Sequence, residues 1–233
     1  MRKMDAVKLL SALSIFLLTV GCATFPREDV TRSDSDIAET FYDTSHVDVT
    51  GDSLNLVLDG GVVTPIKTVF YSGIHYIFEG LDDDGVTPIF TPKSEGALNP
   101  LATAVIKAIQ SNLTNSNFVL SSDSSTADVV CHSVSFEEEF TYSTYYNYWY
   151  GGYYYYYPGY WYTTTYTVGS LLIDITYKTD EIDPTTGKNK VLPIWLGMGS
   201  GLTTDNNQSD LAPRATTIVD QMFMQSTYLK ANN

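Results

Sequence analysis

Two acidic clusters carry the side chains best suited to catalysis or to binding a cation. Glu137 and Glu139 share one face of a predicted strand and lie roughly 7 Å apart along it, a spacing that suits a glycosidase pair or a cation site. The run DDD at residues 82–84, followed by glycine, offers oxygen ligands for calcium but lacks the spaced acidic pattern and the distal glutamate of a calcium loop. We expect an exposed strand face at the first cluster and a solvated turn at the second, with no bound metal.

The histidines and glycines give no further catalytic pattern. His46, His75 and His132 are spaced like no zinc motif, and His132 stands between two valines on a predicted strand face, as a structural histidine does. The sequence has no Gly-x-Ser-x-Gly elbow. Its glycine repeat at 197–201 follows a strand pattern instead of opening a helix, as a nucleotide-binding turn would. The sequence therefore predicts a protein that is not an enzyme and has no cofactor; a hydrolase that uses Glu137 and Glu139 is the remaining catalytic alternative.

The first residues of the chain predict its compartment. Residues 1–21 combine a basic start with an apolar run of about a dozen residues, too short to span a bilayer, which is typical of a secretory signal. The signal ends in LTVGC at residues 18–22, which resembles a bacterial lipobox, so we expect acylation of the Cys22 thiol and a membrane anchor of several acyl chains. The alternative is a plain secreted protein that is cleaved nearby. Ala23, where an inner-membrane retention aspartate would stand, favours the outer membrane of a bacterial cell envelope.

Charge and cysteine usage narrow the range of partners. The predicted signal holds three basic residues and one acidic residue, so the mature chain keeps 10 Lys and Arg against 26 Asp and Glu, a formal charge of −16. Such a surface repels nucleic acid and anionic headgroups, whereas neutral glycans and cationic partners are compatible with it. Cys131 is the one cysteine besides Cys22, and its apolar neighbours predict a buried, unreactive thiol.

The most unusual stretch of the chain is rich in tyrosine. Between Tyr142 and Tyr166, 13 of 25 residues are Tyr and two are Trp, with Gly-Gly at 151–152 and Pro-Gly at 158–159. Because Tyr and Trp favour strands and pair across them, we expect a long hairpin with arms at 142–150 and 160–166; a disordered tip loop is the alternative. The candidate binding residues are Tyr146, Tyr148, Trp149, Tyr150, Tyr153, Tyr155, Tyr157, Tyr160, Trp161 and Tyr162.

Three kinds of partner suit this hairpin, because tyrosine supplies contact area at low entropic cost and an exposed aromatic patch usually marks an interaction site. An envelope protein is the first, and a glycan whose sugar rings stack on the aromatic faces is the second. The lipid interface is the third, although the acidic flanks argue against it. We therefore expect a protein-binding or structural role, with a glycan-binding accessory lipoprotein as the alternative; the oligomeric state stays open.

Two helices follow from capping signals and periodicity. Asn99 and Pro100 form an N-cap and first-turn pair, and apolar residues at helical spacing continue until the helix should end near Asn115. Residues 211–230 carry an apolar stripe of the same spacing, with Asp210 as the expected N-cap. Each helix thus offers one face to a sheet.

Alternation of apolar and polar residues predicts the strands. In the last of them, alternate residues from Leu192 to Leu202 form the expected core face, and Trp195 lies opposite, among glycines that suggest a backbone pressed close to a neighbour. The predicted strands cover residues 37–49, 53–58, 67–78, 118–120, 127–142, 163–177 and 191–203.

These elements predict an α+β fold with a two-layer sandwich. A mostly antiparallel sheet would bury a single face under two amphipathic helices, and the long Tyr-rich β-hairpin would extend from it. Residues 37–233 would form one domain, joined to the anchor by a polar tether at residues 22–36.

The order of several short motifs, clearest over residues 99–231, resembles the bacterial envelope lipoproteins grouped as the DUF4136 domain. The resemblance implies the same fold and a lipobox, and it implies no functional residue, because the function of that family is unknown. The matching features are Asn99-Pro100, Asp128-Val129-Val130, the aromatic run from Tyr145 to Tyr162, GSLLID at 169–174, WLGMGSG at 195–201 and the apolar stripe from Leu211 to Leu229.

Overall fold

A computed structural model describes residues 37–42, 46–50, 52–58, 61–83, 88–136, 140–141, 165–166, 169–182, 187, 189–202 and 208–231. Cys22, the predicted tether and all ten candidate Tyr and Trp residues lie outside these ranges, as do Glu137 and Glu139. The described elements are β1 (Ile37–Tyr42), β2 (Val47–Thr50), β3 (Ser53–Leu58), β4 (Val62–Pro65), β5 (Thr68–Tyr71), β6 (Ile74–Leu81), β7 (Pro88–Ser94), α1 (Pro100–Asn115), β8 (Val119–Ser121), β9 (Val129–Phe136), β10 (Phe140–Thr141), β11 (Thr165–Tyr166), β12 (Ser170–Ile182), β13 (Asn189–Ser200) and α2 (Gln208–Gln225).

An eight-stranded sheet forms one layer of the fold. Strands β1, β13, β12 and β9 lie side by side and antiparallel. On the other side of β9, both β5 and β6 pair with it in parallel; β8 adds to β5, and β7 closes β6 as an antiparallel hairpin. The sheet is therefore mixed. Strands β2, β3 and β4 form a smaller antiparallel sheet.

Strand β9 changes its parallel partner halfway along. Its first residues, Val129–Cys131, pair with Val69–Tyr71 of β5, and its last, Val134–Phe136, pair with Tyr76–Phe78 of β6. The break between β5 and β6 falls at Gly73, whose φ of +67° is a left-handed conformation that glycine adopts without strain. Strands β5 and β6 thus follow each other along the same edge of β9, with a bend between them.

Helix α1 begins at Pro100 and ends at Asn115, as the sequence predicts. Asn99 is the N-cap residue and Pro100 the first helical residue, as predicted, but the Asn99 side chain makes no capping hydrogen bond. Thr103 holds the turn instead: its hydroxyl accepts a hydrogen bond from the Gly96 N–H and donates one to the Gly96 carbonyl. The buried face of the helix consists of Ala102, Val105, Ile106, Ala108, Ile109 and Leu113.

Helix α2 begins earlier and ends earlier than its apolar stripe suggests. Asp210 lies inside the first turn instead of at the cap, and the helix ends at Gln225. The stripe continues beyond it because Leu229 is buried in the tail, where the Ala231 N–H donates to the Ser116 carbonyl. Both helices pack on the same face of the large sheet, named here the inner face, and a 2.7 Å hydrogen bond from Asn112 to Asp220 joins them.

The expected orientation of the last strand is wrong. Trp195 lies on the inner face and is fully buried, with its indole N–H donating to Ser226 Oγ at 2.9 Å. A Cβ added to Gly199 would stand 2.1 Å from Ile218 Cγ2, so α2 can approach β13 this closely only over glycine. The predicted close approach at these glycines is therefore confirmed, but Trp195 shares their face and the core.

The sheet buries both of its faces along the central strand, so the expectation of a single buried face is also wrong. On the face opposite the helices, named here the outer face, Leu172, Asp174 and Thr176 are fully buried. A small apolar cluster of Phe78, Val134, Phe136 and Leu172 lies on this face. The predicted two-layer α+β sandwich, with mostly antiparallel strands and two helices on one face, is confirmed in its architecture.

Candidate functional site

The tyrosine-rich segment is joined to the sheet through a short strand pair. Phe140 pairs with Tyr166 and Thr141 with Thr165, which makes β10 and β11 an antiparallel ladder of their own. The predicted strand at 127–142 is thus divided into β9 and β10, and the predicted strand at 163–177 into β11 and β12. Residues 142–164, with all the candidate binding residues, lie outside the described chain, so the two arms remain predictions beyond this base.

Aromatic side chains occupy the outer face beside that base. The Phe78 ring lies 5.5 Å from the Phe90 ring and 5.8 Å from the Phe136 ring, both tilted by about 50°, a geometry that favours edge-to-face attraction. Tyr76 and Met198 pack against the same cluster. Because Phe136 is the last residue of β9, this cluster lies where the chain leaves the sheet for β10.

The tip of the β6–β7 hairpin presents apolar side chains at the same end of the sheet. Because β6 runs parallel to β9, its last residue, Leu81, lies at the end where Phe136 is found. Leu81 is 44% exposed, and Ile89 on β7 is 40% exposed. This end of the molecule therefore combines exposed aliphatic groups with the point where the tyrosine-rich segment begins and ends.

A histidine–carboxylate pair also lies on the outer face. His132 Nδ1 is 3.2 Å from Asp174 Oδ1, and these residues are directly paired across β9 and β12. The His132 side chain is 17% exposed, whereas that of Asp174 is fully buried. A carboxylate in this position holds the imidazole in one orientation, so the predicted structural role of His132 fits the geometry.

A second polar cluster is buried on the inner face. His75 Nδ1 lies 3.1 Å from Ser133 Oγ, and its Nε2 lies 2.9 Å from Ser135 Oγ. The Tyr71 hydroxyl lies 3.0 Å from the same Ser133 oxygen. Burial lowers the pKa of His75 to about 3 and raises the pKa of the Tyr71 hydroxyl far above its ordinary value, so both side chains are neutral at physiological pH.

This cluster has the residue types of a nucleophilic dyad but not the access. A serine hydroxyl beside a neutral imidazole nitrogen is the arrangement that activates serine in hydrolases. His75 and Ser133 are, however, almost completely buried, and Ser135 nearly so, which leaves a substrate no path to either oxygen. The thiol of Cys131 is equally buried, and burial raises its pKa, which agrees with the predicted unreactive cysteine. The cluster is therefore suited to holding strands together.

Motif residues that the sequence singled out hold strands together as well. Asp128 Oδ2 accepts hydrogen bonds from the backbone N–H groups of Lys67 at 2.9 Å and Thr68 at 2.8 Å, which fastens the start of β5 to the start of β9. Gly169 and Gly201 both have positive φ angles, and the backbone N–H after Gly201 donates to the Gly169 carbonyl. Asp128 is thus needed as a hydrogen-bond acceptor for the backbone, and the two glycines for their positive φ angles.

The acidic turn carries no assembled ligand set within the described chain. Asp82 and Asp83 are exposed, and Asp82 Oδ1 accepts a hydrogen bond from the next backbone N–H at 2.7 Å, as a solvated turn does. Among the described residues, no three His, Cys, Asp or Glu side chains come together as metal ligands. The helices in this part of the chain are also too short or too polar to cross a membrane.

Comparison with known proteins places the chain in a family without a known function. Residues 70–226, more than half of the chain, match the DUF4136 family, a domain of unknown function. A solved DUF4136 family protein from Bacteroides thetaiotaomicron VPI-5482 is 21% identical to this chain. The two structures superpose with a TM-score of 0.57 over 85% of this chain and 99% of that one, so they have a similar fold. No curated protein matches the chain significantly. The match begins within β5, so it includes the β6–β7 hairpin that the resemblance in sequence left out, and this chain belongs to the DUF4136 family.

Proposed function

We propose that this protein is a lipid-anchored component of the bacterial cell envelope that binds another envelope protein through its tyrosine-rich segment. The paired base of that segment supports the proposal most directly, because β10 and β11 pair Thr141 with Thr165, the described residues on either side of the segment. A rigid frame that holds both ends of an aromatic segment lowers the entropic cost of binding. The role is one of binding, without catalysis.

The surroundings of the base favour a protein partner. Leu81 and Ile89 are exposed at the same end of the sheet. They would add aliphatic contact area to that of the tyrosines, and protein interfaces bury such apolar groups. Sugar rings stack on aromatic faces but gain little from isolated aliphatic side chains. A glycan partner is the alternative outcome of the test below.

A binding experiment tests the proposal on the mature protein. One variant lacks residues 151–159 and carries Ser at Tyr146, Tyr148, Tyr150 and Tyr160. Its matched control carries Ser at Val62 and Val63, which are at least half exposed on β4, away from the base. We expect the tyrosine variant to fold but to lose its crosslinked envelope protein, and the valine control to retain it. An unchanged crosslinked band in the tyrosine variant, or retardation by a polysaccharide in place of a protein contact, would contradict the proposal.

The anchor has a separate test, so that its failure can be distinguished from failure of the binding role. Cells fed with labelled palmitate should label the wild-type chain and leave the Cys22→Ala variant unlabelled, because the thiol of Cys22 is the expected acceptor. Fractionation should then find the wild type in the outer membrane. Equal labelling of the variant would contradict lipidation at Cys22 and leave the binding experiment unaffected.

A further inference from the structure

The β6–β7 hairpin is attached to the rest of the sheet by few backbone contacts. Within the described chain, β7 pairs with β6, and β6 pairs with β9 over the three residues Tyr76–Phe78. This short ladder is parallel, the less stable of the two kinds of strand pairing. The chain before it bends at Gly73. The hairpin therefore depends on side-chain contacts to stay in place.

His75 supplies the polar part of those contacts. It precedes the three-residue ladder, and its ring reaches across to Ser133 and Ser135, so both ring nitrogens are within hydrogen-bonding distance of a hydroxyl on β9. Serine hydroxyls rotate freely and can donate or accept, so a neutral imidazole is satisfied at both nitrogens. The bridge spans the place where β9 changes its partner from β5 to β6.

A proton on this imidazole would be costly, because the charge would be buried and no carboxylate of the described residues forms a hydrogen bond with the ring. The ring has hydroxyls as its hydrogen-bond partners, and the position directly opposite on β7 is Lys93, a second cation. Glu95 follows β7 and pairs with Lys107 of α1. Tyr71 of β5 and Cys131 of β9 are both neutral at physiological pH.

The sign of the pH effect follows from this burial. The pKa of His75 is lowered to about 3 in the closed structure, whereas an exposed histidine titrates near 6.5. Between these values an opened hairpin binds a proton that the closed one does not bind. Stability that the closed hairpin has at neutral pH is therefore lost as the pH falls below about 6.

We propose that His75 makes the β6–β7 hairpin an acid-sensitive unit of this fold, which separates from β9 when its imidazole takes up a proton. Opening parts Phe78 from Phe136 and so dismantles the aromatic cluster at the base of the tyrosine-rich segment. The strands on the other side of β9 stay paired, because β12 is fastened on both edges by long antiparallel ladders. The proposal holds whether or not the segment binds a protein.

Hydrogen exchange on the mature chain between pH 7 and pH 4.5 tests this proposal, with rates corrected for the intrinsic effect of pH. We expect the opening equilibrium of residues 74–81 and 88–94 to rise by up to tenfold for each unit of pH below about 6, with protection in β12 unchanged. Constant protection of the hairpin would overturn the proposal. So would equal loss in β12, because the acid effect would then be global.

Two variants separate titration of His75 from a general effect of acid. His75→Gln keeps two polar contacts without a titratable ring. A second variant serves if His75→Gln does not fold. It changes the whole cluster to apolar side chains, so that no buried polar group is left unpaired: His75→Phe, Tyr71→Phe, Ser133→Ala and Ser135→Ala. Both should lose the pH dependence of the hairpin, whereas the control His132→Gln should keep it. The same pH dependence in the folded His75 variants would contradict the proposal.

Discussion

The two halves of the large sheet, which meet at β9, are held together in different ways. On the antiparallel side, β12 and β13 share a long ladder, and α2 packs directly on the backbone of Gly197 and Gly199. On the parallel side, β5 and β6 each pair with β9 over three residues, and the side chains of Asp128 and His75 complete the attachment. The antiparallel half is thus held by long ladders and close packing of a helix on the backbone. The parallel half has short ladders to β9, and a few polar side chains add to the packing of buried residues such as Val69 and Phe78.

This difference indicates where the fold tolerates change. Tight packing over glycine fails when volume is added, because the interior has no space to accept it. Polar bridges fail when one partner is removed or charged, because the other partner stays buried and unpaired. Substitutions on the two sides should therefore differ in mechanism as well as in size.

The largest effect is expected on the antiparallel side, from Gly199→Ala. The new methyl group would stand 2.1 Å from Ile218 Cγ2 and 2.9 Å from Met222 Cε, so α2 or β13 must shift. We expect a loss of about 3 kcal/mol in the free energy of unfolding, measured by chemical denaturation. Gly96→Ala is the control, since a methyl group there meets nothing within 4 Å. Equal stabilities of the two variants would show that α2 does not pack closely on β13.

A smaller effect is expected on the parallel side, from Asp128→Ala. The substitution leaves the N–H groups of Lys67 and Thr68 without their carboxylate acceptor at the start of β5. We expect destabilisation by about 2 kcal/mol in the same measurement, because hydrogen bonds to a charged group contribute more than neutral ones. The exposed Asp83, changed to Ala, should leave the stability unchanged. If Asp128→Ala leaves the free energy of unfolding unchanged, β5 is held by its ladder alone.

The smallest effect is expected from Tyr71→Phe, which removes one neutral hydrogen bond. The Tyr71 hydroxyl contacts Ser133 in the buried cluster, and its loss should lower the free energy of unfolding by about 1 kcal/mol. Tyr177→Phe is the matched control, because Tyr177 is only half-buried on β12. If both variants behave alike, the cluster around His75 contributes packing and no useful hydrogen bonding.

Local patterns in the sequence predict much of the antiparallel side. The alternation along 170–177 and the helical spacing along 100–115 each arise from neighbours in the chain. The helix is found at its predicted bounds, whereas β12 (Ser170–Ile182) begins and ends later than the predicted strand at 163–177. Such patterns do not predict which side chains of β13 face the helices. Leu196 and Met198 look like core residues by alternation, but the helix packs on Gly197 and Gly199, and Trp195 fills the core on the same face.

The parallel side follows from contacts that no local pattern contains. His75 and Ser133 are 58 residues apart, and the sequence marks neither as special. β5 and β6 pair with β9, a strand from the middle of the chain, and this tertiary pairing is not contained in strand propensity. The apolar run at 67–78 predicts that a strand exists there but not its direction, its bend or its partner.

Several of the motifs by which the sequence resembles the family have structural roles. Asp128, Gly169 and Trp195 each have a backbone or packing role in the described structure. Residues 142–164 of the tyrosine-rich segment lie outside the described structure, which shows only the paired base of the segment. We predict that the residues which a partner would recognise are separate from those that the fold requires, so that substitutions in the segment leave the stability nearly unchanged.

Photocrosslinking in living cells tests the proposed binding most directly. A photoreactive residue at Tyr155 of the full-length chain should capture one specific envelope protein, and the same probe at Val62 on β4 should capture none. The captured protein should bind the purified mature chain and lose that binding when residues 151–159 are deleted. Crosslinks from Tyr155 to lipid or glycan alone, or equal capture from both positions, would contradict a protein-binding role for the segment.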